Sequence, residues 1–198
     1  LNGVAILCRT APTEVECGMG VADQDPQARL ISAKIDGVRV MSAYFPAGRV
    51  VGSDDYAYKL DWMRRLREHL DAAASAADDI VLAGDFNVAP DDRDVANPDW
   101  WGGSVLCHES ARKELQRIRD WGFVDVFRRL HPEAKAYSWW DYKLRAFEKD
   151  DGLRIDHIFA TQTLARRFAS ARIDREERQG SAVDKPSDHA PVIAELSG

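Results

Sequence analysis

The sequence predicts a mixed α/β domain, and three stretches carry that prediction. Ile80-Val81-Leu82-Ala83 is an apolar run too short for a helix, set between the paired acids Asp78 and Asp79 and the Gly84-Asp85 stop, which reads as a buried central strand. Leu30 to Ile35 and Val38 to Tyr44 are β-type runs joined by Asp36-Gly37, a strong two-residue hairpin signal that makes an antiparallel pair. Ser53, Asp54 and Asp55 open a helix to about Ala77, with Leu60, Met63, Leu66 and Leu70 on one face and Lys59, Arg64, Arg65 and Arg67 mostly elsewhere. With 198 residues, 45% of them hydrophobic, and no composition break, one core and one domain over 1–198 are expected.

The remaining elements follow in order. Gly3 to Leu7 reads as a β-type run. Phe45-Pro46-Ala47-Gly48 breaks the second hairpin strand and leaves Tyr44 at its mouth, a position where an aromatic ring often serves packing alone. After Asn87 a polar loop through Asp91, Asp92, Arg93 and Asp94 extends to Gly103, a length commonly tied to function. Ser110 is placed to cap a helix through Trp121, closed by Gly122. Phe123 to Phe127 is apolar with Asp125 inside it. Tyr137 to Lys143 holds four aromatic residues beside a cation, and neighbouring Trp139 and Trp140 in an extended chain must face opposite sides, so one ring meets a surface. Leu153 to Ala160 reads as a strand in which Asp156 enters the sheet and needs a partner. Phe168 to Ile173 is apolar, and Pro186 to Pro191 fixes an Asp188-His189 pair before a last strand, Val192 to Leu196.

Charge and cysteine content narrow the setting. The net charge of −6 speaks against coating nucleic acid by bulk charge, yet residues 1–100 carry 10 Lys+Arg against 17 Asp+Glu and the rest carry 17 against 16. A polyanion can still bind where those cations share a face and a divalent ion offsets the acids. Cys8, Cys17 and Cys107 are an odd, widely spaced set with packing as their simplest role, which predicts a reducing compartment, and no membrane-length apolar run or leader is visible. A cytoplasmic protein without membrane contact is expected.

Asp85 and Asn87 stand two residues apart at the end of the central strand, where an acid and an amide can address one metal ion or water together, although both types are also common in plain turns. The ordered set Ala43-Tyr44-Phe45-Pro46, Gly84-Asp85-Phe86-Asn87, Tyr137-Ser138-Trp139-Trp140, Arg154-Ile155-Asp156 and Ser187-Asp188-His189-Ala190-Pro191 resembles the exonuclease III family of apurinic/apyrimidinic endonucleases, within the wider endonuclease/exonuclease/phosphatase fold. Each motif alone is weak; their order over nearly the whole chain is specific.

The resemblance implies a four-layer α/β sandwich of two packed, mainly antiparallel sheets with helices outside. It also implies Mg²⁺-dependent hydrolysis, with Mn²⁺ as a substitute, of double-stranded DNA at abasic sites or 3′ ends. By the family pattern Asp85 activates or positions the nucleophile, Asn87 orients it and binds phosphate, and Asp188 ligates the metal with Asp85 and Asn87. Asp156 holds His189, His189 and Tyr44 contact the phosphate, and Trp139 packs against a base-free sugar, which leaves Trp140 buried. Leu153 stands where some members carry a second aromatic ring, and Lys59 and Arg93 are candidate phosphate contacts. His189 has an ordinary reading too, as a satisfied structural histidine.

The family pattern normally begins with a strand carrying an Asn and then a metal-ligating Glu, and neither precedes Leu1. The expectation is therefore an N-terminally truncated chain that holds Mg²⁺ weakly, has Asp91 or Asp92 as the nearest replacement carboxylates, and exposes a sheet edge open to a partner or to self-association. Phosphatases and phospholipases of the same fold share the Asp-Asn and Asp-His parts, and a catalytically silent DNA-binding remnant is the alternative from outside the enzymes.

Overall fold

The structure, a computed structural model, describes residues 2–20, 25–179 and 186–197. The run from Gly3 to Leu7, expected as a strand, forms no regular element, and Leu7 is exposed; no strand among the described residues lies beside it to take up its backbone groups. The first strand is instead β1 (Thr13–Cys17), followed by β2 (Leu30–Ile35) and β3 (Val38–Tyr44). Asp36 and Gly37 both take positive φ, 49° and 86°, and close β2 on β3 as an antiparallel hairpin. Next come α1 (Asp54–Ala73), capped by the Ser53 side chain, β4 (Ile80–Asp85), α2 (Pro98–Trp101) and α3 (Glu109–Asp120). The cap of α3 is His108 rather than Ser110, whose hydroxyl lies 2.8 Å from that of Tyr56.

Phe123 to Phe127 divides into β5 (Phe123–Asp125) and α4 (Val126–Leu130), because the Asp125 side chain accepts the Arg128 N–H and starts a helix there. The short α5 (Ala146–Lys149) precedes β6 (Asp156–Thr161), α6 (Gln162–Ala165), β7 (Phe168–Ile173) and β8 (Val192–Leu196). Tyr137 to Trp140 is no strand; Trp139 makes single bridges to Leu153 and His189.

Six strands form one sheet in the order β1-β2-β3-β4-β6-β5, with β3 and β4 parallel across the α1 crossover and the other pairs antiparallel, while β7 and β8 form a second. Strand alternation splits the core between the faces. Ile80 and Leu82 of β4 and Phe159 of β6 meet Trp62, Met63, Leu66 and Leu70 of α1 and Leu115 and Ile118 of α3. Val81, Ile158 and Ala160 face the other way, toward Phe168 and Ala171 of β7 and Leu164 of α6. Helices, sheet, sheet and further helices thus stack as layers, and strand ends from both sheets meet at one rim. No helix among the described residues is long and apolar enough to cross a membrane.

Candidate active site

The site starts from a glycine. Gly84 has φ +140°, and a Cβ there would stand 2.0 Å from the Ala43 carbonyl oxygen, so β3 and β4 approach as closely as they do only because this residue has no side chain. The parallel register sets Tyr44 beside Asp85, and the antiparallel one sets Asp156 on the other side of Asp85. Asn87 then turns back with φ +50°, its N–H donating to Asp85 Oδ1 (2.8 Å) and its side-chain amide to Asp85 Oδ2 (3.0 Å) and the Phe45 carbonyl (3.0 Å). The two side chains meet through this left-handed turn, not through strand alternation. Both amide protons of Asn87 are engaged, which leaves its Oδ1 for a ligand.

Asp156 is fixed through Ser138. The Ser138 hydroxyl accepts the N–H groups of Ile155 (3.1 Å) and Asp156 (3.0 Å) and donates to Asp156 Oδ2 (2.7 Å), the oxygen that also lies 2.9 Å from His189 Nδ1. Asp85, Asp156 and His189 bring ligand atoms within 4.8 Å of one another, a grouping able to hold a metal ion. They line a cleft of about 580 Å³ between the sheets, floored by Ala83, Ile158 and Val192. Burial, then the charge of Asp156, pushes the Asp85 carboxyl up to about 7, against the pull of His189 and the Asn87 N–H. Burial also opposes charge on His189, but the hydrogen bond and charge of Asp156, with Asp85 and Asp188 behind them, raise it to about 9. At neutral pH the cleft therefore holds an Asp156–His189 ion pair beside a carboxyl short of positive charge, and oxygen donors so placed fit a hard divalent cation.

Asp188 stands outside that trio, its Oδ2 accepting the Trp139 indole N–H at 3.0 Å. Trp139 is half-buried against Trp101, whereas Trp140 is 1% exposed with its N–H on Asp150. Tyr44, half-buried under the Arg29 guanidinium, lines a neighbouring cleft of about 520 Å³ with Arg49 and Tyr58. Leu153 is fully buried and bridges Trp139.

The two candidate phosphate contacts part ways, Lys59 being placed otherwise than expected. Lys59 is fully buried, and its ammonium donates to the carbonyls of Asn87 (2.7 Å), Val105 (2.8 Å) and Ala47 (3.3 Å), so it addresses backbone and not solvent. Helix periodicity assigned it to the polar face; loops closing over that face bury it. Arg93 is exposed, with its guanidinium on Asp91 (2.7 Å) and the Pro132 carbonyl (2.9 Å). That hydrogen bond holds the Asp91 carboxyl down to about 2, and Asp92 pairs with Arg112, so neither aspartate joins the carboxylates of the cleft. Cys8 and Cys17 are exposed and only Cys107 packs inside.

Beneath the site lies a network that sequence reasoning missed. Arg154, 1% exposed, donates to Asp94 Oδ1 (2.7 Å), Asp125 Oδ2 (2.7 Å) and His157 Nδ1 (3.0 Å). Receiving that bond makes the His157 ring neutral, with Nε2–H donating to the Val88 carbonyl at 2.9 Å. Asp125 within an apolar run was the available signal, since a buried carboxylate demands a cation.

These strand ends, with their acid, amide and imidazole groups, define a family: the Endonuclease/Exonuclease/phosphatase family matches residues 1–189, and the chain belongs to it. Among its relatives, exodeoxyribonuclease III of Haemophilus influenzae is 33% identical over 98% of this chain and 76% of its own length. An AP endonuclease from Archaeoglobus fulgidus superposes with a TM-score of 0.89 at 38% identity, covering 94% of this chain and 71% of that one. A 3′ phosphatase from Neisseria bound to a product DNA hairpin superposes with a TM-score of 0.88 at 36% identity, covering 96% and 73%.

Proposed function

We propose that the chain is a DNA repair nuclease that hydrolyses phosphodiesters at abasic sites or 3′ ends. The observation that carries the reading is the meeting of Asp85, Asp156 and His189 at one strand-end rim, with Asn87 bonded to Asp85. A phosphodiester resists attack because it is anionic, so its hydrolysis needs an activated water, positive charge on the phosphoryl oxygens and a stabilised leaving oxygen.

Asp85, held by both hydrogen bonds from Asn87, takes the proton of the attacking water, and Asn87 orients that water with its remaining oxygen. His189, kept protonated by Asp156, presents Nε2–H to a phosphoryl oxygen, with Tyr44 assisting from the adjoining strand. Mg²⁺, or Mn²⁺ in its place, would be held by the oxygens of Asp85 and Asn87 with Asp156 beside them and would supply Lewis-acid charge to the phosphate, whereas Asp188, expected as a ligand, stands outside this group with Trp139 on its Oδ2. Trp139 offers a half-buried ring for the base-free sugar. Arg93 on the exposed loop is the remaining candidate for a backbone phosphate.

The test is Mg²⁺-dependent nicking of a duplex with one abasic site, run beside hydrolysis of a soluble phosphomonoester and removal of a 3′-terminal phosphate from a nicked duplex. The reading requires the DNA substrates to be cut and the soluble ester to be left intact. Preference for the soluble ester would replace it with a phosphatase of the same fold.

A further inference from the structure

Lys59 is a buried amine whose placement neither packing nor substrate contact explains; burial pushes it down to about 7, while the charge of Asp85 and three acceptor carbonyls favour the ammonium form. Its three ammonium protons meet three carbonyls, each from a different loop: Ala47 beyond β3, Asn87 beyond β4, and Val105 ahead of α3. One of those loops follows directly on Tyr44, the last residue of β3, and another carries Asn87. The third closes the lid over the ammonium, which has no exposed surface. The loop beyond β3 is shaped to the lysine stem: Gly48 has φ +85°, and a Cβ there would come within 2.9 Å of Lys59 Cδ. Asn87 takes a left-handed conformation, which asparagine tolerates better than most residues with a side chain and which its backbone bonds here fix in place. Lys59 grips the carbonyl of Asn87 itself, and His157 grips the next one, that of Val88.

We propose that Lys59 is a positioning residue of the active site, a three-way staple that fixes the Asn87 turn against Asp85 and ties it to the loop behind Tyr44. The proposal rests on the nuclease reading for its consequence, not for its geometry. No part of it requires Lys59 to touch DNA.

Lys59→Met keeps the length and apolar stem and removes the donors. On an abasic duplex its kcat should fall at least about tenfold with KM within about twofold, since the turn orients reacting groups without binding the substrate at large. In the same variant, hydrogen exchange at the Asn87 amide should quicken at least about tenfold while amides of β6 keep their protection. Lys59→Ala should regain activity saturably with added ethylammonium and not with tetramethylammonium. If Lys59→Met does not fold, Lys59→Gln, which retains one amide donor group, is read by the same measurements.

A variant kcat within about twofold of the parent overturns the proposal, as does faster exchange spread evenly over β4 and β6, which would make Lys59 a general stabiliser. Should the parent chain fail to nick DNA, the functional reading falls and the exchange measurement alone decides: change confined to Asn87 supports the staple, and no change there refutes it.

Discussion

Replacing Arg154 with Met should be among the most damaging single changes available in the chain, for a reason that can be worked through its partners. Arg154 is 1% exposed, and it neutralises Asp94 and Asp125, whose side chains are 1% and 3% exposed. Arg128 also binds Asp94 at 2.6 Å, so Asp94 keeps a cation in the variant, while Asp125 loses its closest one. Breaking a buried pair from one side costs about 3–5 kcal/mol, because a charge is left in a poor solvent. At about 2–4 °C per kcal/mol for a chain of this size, the melting midpoint should drop by roughly 10 °C.

The pH dependence gives the sign. In the parent, burial works against ionised Asp125, but the charge and hydrogen bond of Arg154 hold its carboxyl below the usual range. That contribution is present above the unfolded carboxyl value of about 4 and is lost as pH falls toward the folded one. With Arg154 gone, burial outweighs the remaining Arg128 N–H bond and raises the carboxyl, so the native chain binds the extra proton and stability falls as pH rises. The deficit of Arg154→Met should thus be larger at pH 8 than at pH 5, and Arg154→Met with Asp125→Asn should recover more than half of it. Urea unfolding followed by circular dichroism at both pH values measures this. A loss under about 1 kcal/mol, or one that Asp125→Asn does not lessen, would refute the reasoning.

Three further outcomes are expected. Asp85→Asn should lose at least about a hundredfold in nicking rate yet, in chelator at pH 8, gain about 1 kcal/mol of stability. The gain follows because a carboxyl raised to about 7 withdraws stability as pH climbs from about 4 to 7, a slope the amide lacks; a variant less stable than its parent would contradict this. Gly84→Ala should cost at least about 3 kcal/mol or prevent folding, through the 2.0 Å approach to the Ala43 carbonyl, and a near-normal melting curve would show that β3 gives way easily. Trp139→Phe keeps the ring against Trp101 but loses the donor to Asp188, so nicking should fall about tenfold with stability changed by less than about 1 kcal/mol; the reverse pattern would make the indole a packing group only.

Local chemistry was readable where a single segment decides its own shape. Asp36-Gly37, the Ser53 cap and the short Ile80 run announced a turn, a helix start and a central strand, because each signal acts within a few residues. Reading failed where a second segment decides. Gly3 to Leu7 has strand composition but pairs with no strand among the described residues, and Lys59 has polar-face spacing on α1 but is roofed over by distant loops. Asp125 was visible as an oddity without its answer, since Arg154 lies 29 positions away. In the site, residue types and spacing pointed to Asp85 and Asn87 and the family resemblance to Asp156 and His189, but the turn that joins Asp85 to Asn87 and the separate holding of Asp188 by Trp139 are products of tertiary closure.

Ser138 has a mechanical consequence. Its hydroxyl accepts two backbone N–H groups from the entrance of β6 and sends its one proton to Asp156, which in turn grips His189. The imidazole is thereby coupled in series to the sheet itself, with no freely rotating link between. A substrate pulling on that ring therefore works against the stiffness of paired strands, and the backbone bonds that tie Ser138 and Trp139 to Leu153 and Ala190 to Ser138 close the same support from the other side.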